Sequence, residues 1–332
     1  MILSILAIAV GLVLLVWSAD RFVDGAVGVA QFLGMSTFLI GMIVVGFGTS
    51  APEMVVSVLS AMNGTPQLAL GNAYGSNIAN IALILGITAL IAPVVVKKQA
   101  MSHDIPILVL MTALTIVLLK DGNVSFVDGA VLLVAFVLLT LFNILMELKE
   151  KRKRENADMP QDVPENNQES SKVSIGKSVL WLFVGLGILI ASSRMLVWGA
   201  VNLAHALGVS DLLIGLTIVA VGTSLPELAS SIAAARRGEN DLAVGNVIGS
   251  NGFNTLVVVG IAAVIAPINA TDPEVMSRDV PIMTVLTLLL FLICIPFKKK
   301  NGKRIGGFGR LGGALFLSLY VGYLVLLGFQ SV

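Results

Sequence analysis

The sequence contains few charged residues and few of the side chains that bind transition metals. Lys, Arg, Asp and Glu make up 12% of its 332 residues, about half the usual share of ~25% in soluble domains. The one cysteine, Cys294, excludes an intramolecular disulfide and a cysteine-based metal cluster. The two histidines, His103 and His205, fall outside the repeated motifs described below. No basic domain suggests nucleic-acid binding, so no nucleic acid is expected among the partners.

Hydrophobic residues dominate instead, at 56% of the chain with a mean hydropathy of +0.95. A helix needs ~20 apolar residues to cross a bilayer, and helices satisfy their own backbone polar groups in lipid. The sequence therefore predicts an all-α, multi-pass protein of the cell membrane. Apolar segments bounded by charges, Pro and Gly predict ten transmembrane helices near residues 2–19, 38–62, 68–92, 104–120, 126–147, 177–199, 211–235, 241–267, 279–297 and 310–330.

A long internal repeat relates the two halves of the chain. Adding 174 to the residue numbers from Ser18 to Pro93 aligns the halves without a gap. "GTSAPE", which begins at Gly48, then matches "GTSLPE", which begins at Gly222. "GNAYGSNIAN", which follows Leu70, matches "GNVIGSNGFN" in the same way. Repetition of such long motifs indicates an ancient duplication.

Each half holds five predicted helices, and an odd number makes the second copy enter the membrane from the opposite side. Two inverted repeats are the architecture of many secondary transporters, whose substrate site lies near the middle of the membrane. We therefore predict a first five-helix repeat at 1–148 and a second at 177–332. A flexible polar linker at 149–176 joins them.

The distribution of Lys and Arg predicts the orientation of the chain. Placing the linker in the cytoplasm puts most basic residues on that side, as membrane proteins prefer. These are Arg21, Lys97, Lys98, the cluster from Lys149 to Lys177, Arg236, Arg237 and the cluster from Lys298 to Arg310. Both termini are then expected outside the cell.

Two glutamates, Glu53 and Glu227, stand well inside predicted helices at equivalent positions of the repeats. An ionisable residue there costs at least ~2.5 kcal/mol and usually marks an ion or substrate pathway. A protonated glutamate that joins two helices is the alternative, but it explains a symmetric pair less well. Pro52 and Pro226 precede the glutamates, and each is expected to break its helix. Carbonyls freed at Thr49 and Thr223 would point partial negative charge at a cation.

Polar residues surround both glutamates at helical spacing, and none of them offers sulfur. They are Thr49, Ser50, Ser57 and Ser60 in the first copy, Thr223, Ser224, Ser230 and Ser231 in the second, and Asn72, Ser76, Asn80, Asn246, Ser250 and Asn254 in the following helices. Hard cations prefer such oxygen ligands, and Mg²⁺ tends to keep its water shell. Ca²⁺ and Na⁺ are therefore the expected substrates, with no cofactor. Two glutamates balance one Ca²⁺ or two Na⁺, so exchange for three Na⁺ would be electrogenic.

The repeated motifs resemble those of the calcium:cation antiporter superfamily, in its prokaryotic sodium/calcium exchanger branch. The resemblance rests on "GMIVVGFGTSAPEMVVSVLSA" with "GNAYGSNIANIALILG", and on "GLTIVAVGTSLPELASSIAAARRG" with "GNVIGSNGFNTLVVVG". It implies a monomer of ten helices in the lipid bilayer, with broken second and seventh helices and sliding first and sixth helices that give alternating access.

The resemblance also implies roles for individual residues. Glu53 and Glu227 are implied as shared Ca²⁺ and Na⁺ ligands, with the carbonyls of Thr49 and Thr223 completing the Ca²⁺ site. The implied Na⁺ ligands are Ser50, Ser76, Ser224 and Ser250, and Asn80 and Asn254 flank the central position. Related exchangers often carry an aspartate where this chain has Asn254, which leaves participation of H⁺ or K⁺ and the exchange ratio open.

The leading hypothesis is therefore a secondary antiporter that exchanges Ca²⁺ for Na⁺. A proton/calcium exchanger or another cation exchanger is the nearest alternative, since glutamates can also carry protons. A cation channel would conduct without a counter-ion, which fits buried glutamates in inverted repeats poorly. An intramembrane enzyme is disfavoured because no motif for nucleophilic, zinc or nucleotide chemistry occurs in a suitable context.

Overall fold

Helices form nearly all of the computed structural model, which describes residues 1–96, 100–156, 174–208, 220–269, 273–295, 298–300 and 303–330. The helices are α1 (Ile2–Leu33), α2 (Thr37–Thr49), α3 (Ala51–Met62), α4 (Gln67–Ile91), α5 (Ile105–Leu118), α6 (Phe126–Asn156), α7 (Ile175–Ala206), α8 (Ala220–Thr223), α9 (Leu225–Arg236), α10 (Asn240–Ile265), α11 (Val275–Cys294) and α12 (Arg310–Gln330). Three short strands, which the sequence did not predict, are β1 (Val94–Val96), β2 (Lys298–Lys300) and β3 (Lys303–Phe308). They form an antiparallel sheet in the order β1-β3-β2.

The chain has the helical fold of a multi-pass membrane protein. Seven helices of the described residues are long and apolar enough to cross a membrane, and the bent pair α2 and α3 makes an eighth span. Helix α5 is apolar but has only 14 residues. The predicted seventh span, 211–235, begins in 209–219, which lie outside the described residues. The expected number of ten spans therefore stays a prediction.

Two predicted spans are shorter than the helices that contain them. Helix α1 continues from the predicted end at residue 19 to Leu33, and α7 covers 175–206 instead of 177–199. Charged residues end an apolar segment, but they do not have to end a helix. In α1 the charged residues Asp20 and Asp24 form ion pairs with Arg237 at the end of α9, and the helix continues past them. The turn that ends α1 is at Gly34, whose φ of 61° suits glycine.

The linker prediction needs a similar correction at its start. Helix α6 runs to Asn156, so the first residues of the predicted linker 149–176 are helical. Lys, Glu and Arg are good helix formers, so this charged segment can continue the apolar helix before it. The remainder of the linker, 157–173, lies outside the described residues.

Helices α1 and α7 pack against each other antiparallel, through glycines. A Cβ atom built on Gly11 would lie 3.1 Å from Leu196, and one on Gly185 would lie 3.1 Å from the Cβ of Phe22. Adding 174 to Gly11 and Phe22 gives Gly185 and Leu196, so each contact is the symmetry equivalent of the other. Small residues let membrane helices approach closely. The pair therefore obeys the two-fold relation that inverted repeats require.

Helix α10 packs closely against α2, again through glycines. A Cβ atom on Gly249 would overlap the backbone of Met42, and one on Gly41 would lie 2.6 Å from the carbonyl oxygen of Leu242. Gly75 in α4 is equivalent to Gly249, and nothing in the described structure comes within 4 Å of a Cβ atom built there. The equivalent of Met42 under the shift of 174 is Leu216, which lies outside the described residues.

Candidate functional site

Each repeat carries a break in its helix two residues before the proline of the motif. Helices α2 and α3 meet at Ser50 with a bend of 45°, and α8 and α9 meet at Ser224. Ser50 (φ −83°, ψ 2°) and Ser224 (φ −90°, ψ 7°) leave the helical conformation in the same way. Proline lacks a backbone donor and is therefore tolerated in the first turn of a helix. The predicted breaks before both glutamates are confirmed.

The breaks change the hydrogen bonds of nearby carbonyl groups. The backbone bonds described across the first break run from Ser50 N to the Gly46 carbonyl and from Met54 N to the Ser50 carbonyl. Neither of them uses the carbonyl of Thr49. At the second break, the hydroxyl of Ser193 in α7 donates to the carbonyl of Gly222 at 3.1 Å. A helix broken in this way offers carbonyl oxygens to a ligand.

The two glutamates are buried, and contacts link them across the repeats. Glu53 and Glu227 are each 1% exposed. Ser50, at the break of the first repeat, donates to Oε1 of Glu227 at 3.3 Å. The fold therefore brings together the acid of one repeat and the broken helix of the other, at the junction that the sequence predicted.

Asn246 holds the start of α9 in place. Its Nδ2 atom donates to the backbone carbonyl of Glu227 at 3.3 Å and to the hydroxyls of Ser230 and Ser231 at 3.1 and 2.9 Å. Its Oδ1 atom accepts from the hydroxyl of Thr49 at 3.2 Å. Asn246 is thus bonded to the broken helices of both repeats.

Asn72 is the equivalent residue of the first repeat. Its Nδ2 atom donates to the carbonyl of Glu53 at 3.3 Å and to the hydroxyl of Ser57 at 3.4 Å. Asn72 is only half-buried, whereas Asn246 is 1% exposed. The equivalent hydrogen bonds are therefore less accessible to water in the second repeat than in the first.

We expect Asn246→Ala to destabilise the protein more than Asn72→Ala. A buried polar group that loses its partner costs about 1 to 3 kcal/mol. Asn246 makes more hydrogen bonds than Asn72 and is more deeply buried. Thermal unfolding of the purified protein in detergent, followed by size-exclusion chromatography, measures the difference. Equal unfolding temperatures for the two variants would contradict this assignment.

Most buried polar atoms that lack a hydrogen-bond partner belong to this site. Eight of the ten such side-chain atoms in the described residues are Glu53 Oε2, Glu227 Oε2, Asn77 Oδ1, Asn80 Oδ1, Ser224 Oγ, Ser250 Oγ, and both Oδ1 and Nδ2 of Asn254. Buried polar groups normally have partners, so an ion or ordered water would supply the missing partners here. Seven of the eight atoms are oxygens. Such a donor set fits a hard cation.

Other buried carboxylates have conventional partners. Asp279 accepts from the guanidinium of Arg278 at 2.8 Å and from the hydroxyl of Tyr323 at 3.0 Å. Glu147 accepts from the backbone N–H of Ser36 at 2.9 Å. These two acids have structural roles. The two glutamates of the repeats differ, because each leaves one oxygen without a partner.

Two wide helical turns mark the asparagine positions. Ala79–Ile84 in α4 and Phe253–Val258 in α10 are π-helical, and the two segments are equivalent under the shift of 174. They contain Asn80 and Asn254. Turns of this type are rare and occur frequently at functional sites. Further π-helical turns occur at Gly41–Val45, Ala100–Asp104 and Val275–Asp279, so the turns at the asparagines show a local geometry shared by the two repeats.

Nine of the ten residues predicted for the site are buried: Glu53, Glu227, Thr49, Ser50, Ser224, Ser76, Ser250, Asn80 and Asn254. Thr223 is half-buried. Asn246, which joins the repeats, was predicted among the polar residues around the glutamates but not among these ten. The prediction omitted Asn77 and Asn251, which make buried contacts near the π-helical turns. Their signal was available, because "GSN" occurs unchanged in both copies of the motif.

Comparison with known proteins finds matches over nearly the whole chain. A family model described as "Sodium/calcium exchanger protein" matches residues 3–145 and 177–329. A protein named CaxA, from Alkalimonas amylolytica, is 42% identical over 98% of this chain and 99% of its own. Sodium/calcium exchanger MaX1, from Methanosarcina acetivorans, is 28% identical over 98% of each chain. A solved structure of the sodium-calcium exchanger NCX_Mj, soaked with zero Na⁺ and Ca²⁺, matches with a TM-score of 0.81 at 31% identity and covers 98% of each chain.

Proposed function

Because the chain belongs to the sodium/calcium exchanger protein family, we propose that it exchanges Ca²⁺ for Na⁺ by alternating access at the site between its repeats. Members of this family are transporters and not enzymes, and they move ions without a bound cofactor. Glu53 and Glu227 are the proposed shared ligands. The other proposed ligands are Thr49, Thr223, Ser50, Ser224, Ser76, Ser250, Asn80 and Asn254.

The observation that carries this proposal is the pair of buried glutamates, each with an oxygen that has no partner. Two carboxylates in a low dielectric are costly unless cations neutralise them. One Ca²⁺ or two Na⁺ would balance their charge, and a third Na⁺ would make each cycle move net charge. The cost of an empty site supports exchange over leak, because the protein would cross between its states only with ions bound.

Ten spans in two inverted repeats are part of the proposal. The eight spans described above would be joined by α5 and by α8 with α9. The symmetric contacts of α1 and α7 support the inversion.

We further propose a monomer in the cell membrane with both termini outside. Charges support this orientation, since Arg21 and Arg237 would lie at the cytoplasmic end together with the linker. The antiparallel pairing of β1 with β3 is consistent with it, because both strands would then lie on the cytoplasmic side.

The purified protein in proteoliposomes tests the function. We expect uptake of radioactive Ca²⁺ when the lumen contains Na⁺ and the bath does not, and little uptake when Na⁺ is equal on both sides. A membrane potential should change the rate if the exchange is electrogenic. Uptake that needs only a pH gradient would instead make the protein a proton/calcium exchanger, and a requirement for K⁺ would add a third ion. Single-channel currents in a planar bilayer would show that the protein conducts ions as a channel and does not exchange them.

A further inference from the structure

A buried hydrogen bond joins two asparagines of different repeats next to the proposed ion ligands. Nδ2 of Asn80 in α4 donates to Oδ1 of Asn251 in α10 at 2.9 Å, and both side chains are 1% exposed. Asn251 is absent from the ligand set proposed above. Its contact nevertheless involves the carboxamide of a residue that belongs to this set.

A carboxamide can bind a cation only through its oxygen. Its two ends have nearly the same shape, and the NH₂ end would present positive charge to the ion. The bond to Asn251 engages the NH₂ end of Asn80, and Oδ1 of Asn80 remains without a partner. Asn251 therefore determines which end of Asn80 is available to an ion.

The second repeat lacks the equivalent bond. The shift of 174 relates Asn77 to Asn251 and Asn254 to Asn80. Nδ2 of Asn77 donates instead to the hydroxyl of Thr255 at 2.9 Å and lies 3.6 Å from the sulfur of Met283 in α11. Neither polar end of the Asn254 side chain has a partner. Of the two carboxamides, only that of Asn80 is thus held in one orientation.

We propose that Asn251 is a positioning residue that orients the carboxamide of Asn80 so that its oxygen faces the transported Ca²⁺. This inference rests on the proposed function, in which Asn80 lies beside the central position. It assigns to Asn251 no contact with the ion itself. Because the effect acts through orientation, it should disappear when residue 80 has oxygen at both ends of its side chain.

Equilibrium binding of radioactive Ca²⁺ to the purified protein in detergent provides the first test. We expect Asn251→Leu, which removes the acceptor at nearly constant volume, to raise the Kd for Ca²⁺ at least about 10-fold. Asn251→Ala gives the same test without a large side chain if the leucine variant does not fold. Asn202→Leu is the matched control, because it makes the same change at an exposed asparagine of α7 that donates to the carbonyl of Trp198, outside the site, and its Kd should stay within about twofold of wild type.

Orientation and packing are separated by repeating the measurement in an Asn80→Asp background. A carboxylate at this position offers oxygen whichever way it turns, so adding Asn251→Leu should change the Kd by less than about twofold. An equal loss of affinity in both backgrounds would reduce Asn251 to a packing role and overturn the inference, as would an unchanged Kd in Asn251→Leu alone. Ca²⁺ binding is measured in Na⁺-free buffer and therefore does not require exchange. A positive result without sodium-driven uptake would therefore contradict the proposed exchange and leave the orientation by Asn251 intact.

Discussion

Glu53→Gln and Glu227→Gln are each expected to abolish sodium-driven Ca²⁺ uptake while the protein remains folded. Glutamine keeps the shape of the side chain but removes one of the two negative charges that balance the divalent ion. Loss of one partner from a buried charge pair costs about 3 to 5 kcal/mol. We therefore expect at least a ~100-fold fall in Ca²⁺ affinity. Initial uptake rates in proteoliposomes, with Ca²⁺ varied over several decades, measure it.

Glu274→Gln is the matched control for these variants. It makes the same chemical change at an exposed carboxylate that pairs with Arg278, outside the site. Its uptake rate should stay close to that of wild type, since exposed ion pairs contribute little. Wild-type rates in Glu53→Gln or Glu227→Gln would remove the altered residue from the ion site. Loss of uptake in Glu274→Gln would show that the assay responds to unspecific damage.

Gly249→Ala and Gly75→Ala are expected to change stability in opposite directions, although the two glycines are equivalent. A methyl group on Gly249 would overlap the backbone of Met42, which cannot move aside by a change of rotamer. Overpacking of this kind costs about 1 to 3 kcal/mol, and backbone overlap places Gly249→Ala at the upper end. None of the described residues lies within 4 Å of a Cβ atom built on Gly75. There, alanine should stabilise the helix by up to about 1 kcal/mol.

Thermal unfolding in detergent gives the sign of each change, with fluorescence-detected size-exclusion chromatography as the readout. A lower unfolding temperature for Gly249→Ala and an equal or higher one for Gly75→Ala is the expected pair. A similar loss in both variants would mean that the repeats pack alike around the motif.

The site was predictable to the extent that it depends on repetition. Glu53 and Glu227 were identified because a buried acid is costly, and a symmetric pair with identical neighbours is hard to explain by chance. The helix breaks followed from Pro52 and Pro226, whose missing donors act locally. The lengths of α1 and α7 were not predictable from hydropathy. Asp20 and Asp24 in the charged turn of α1 form ion pairs with Arg237, which is distant in the sequence, so hydropathy could not reveal that the helix continues.

The sequence by itself determined the membrane class, the duplication, the helix breaks and the chemical types of the ligands, since all of these follow from composition, local sterics and exact repetition. Only the tertiary structure decided which polar groups meet. Ser50 donates a hydrogen bond to Glu227. Asn80 donates to Asn251, whereas Asn77 donates to Thr255. A repeat predicts the same contacts in both halves, but hydrogen bonds form between surfaces that pack together. In this chain the equivalent residues Asn251 and Asn77 have different neighbours, so their contacts differ.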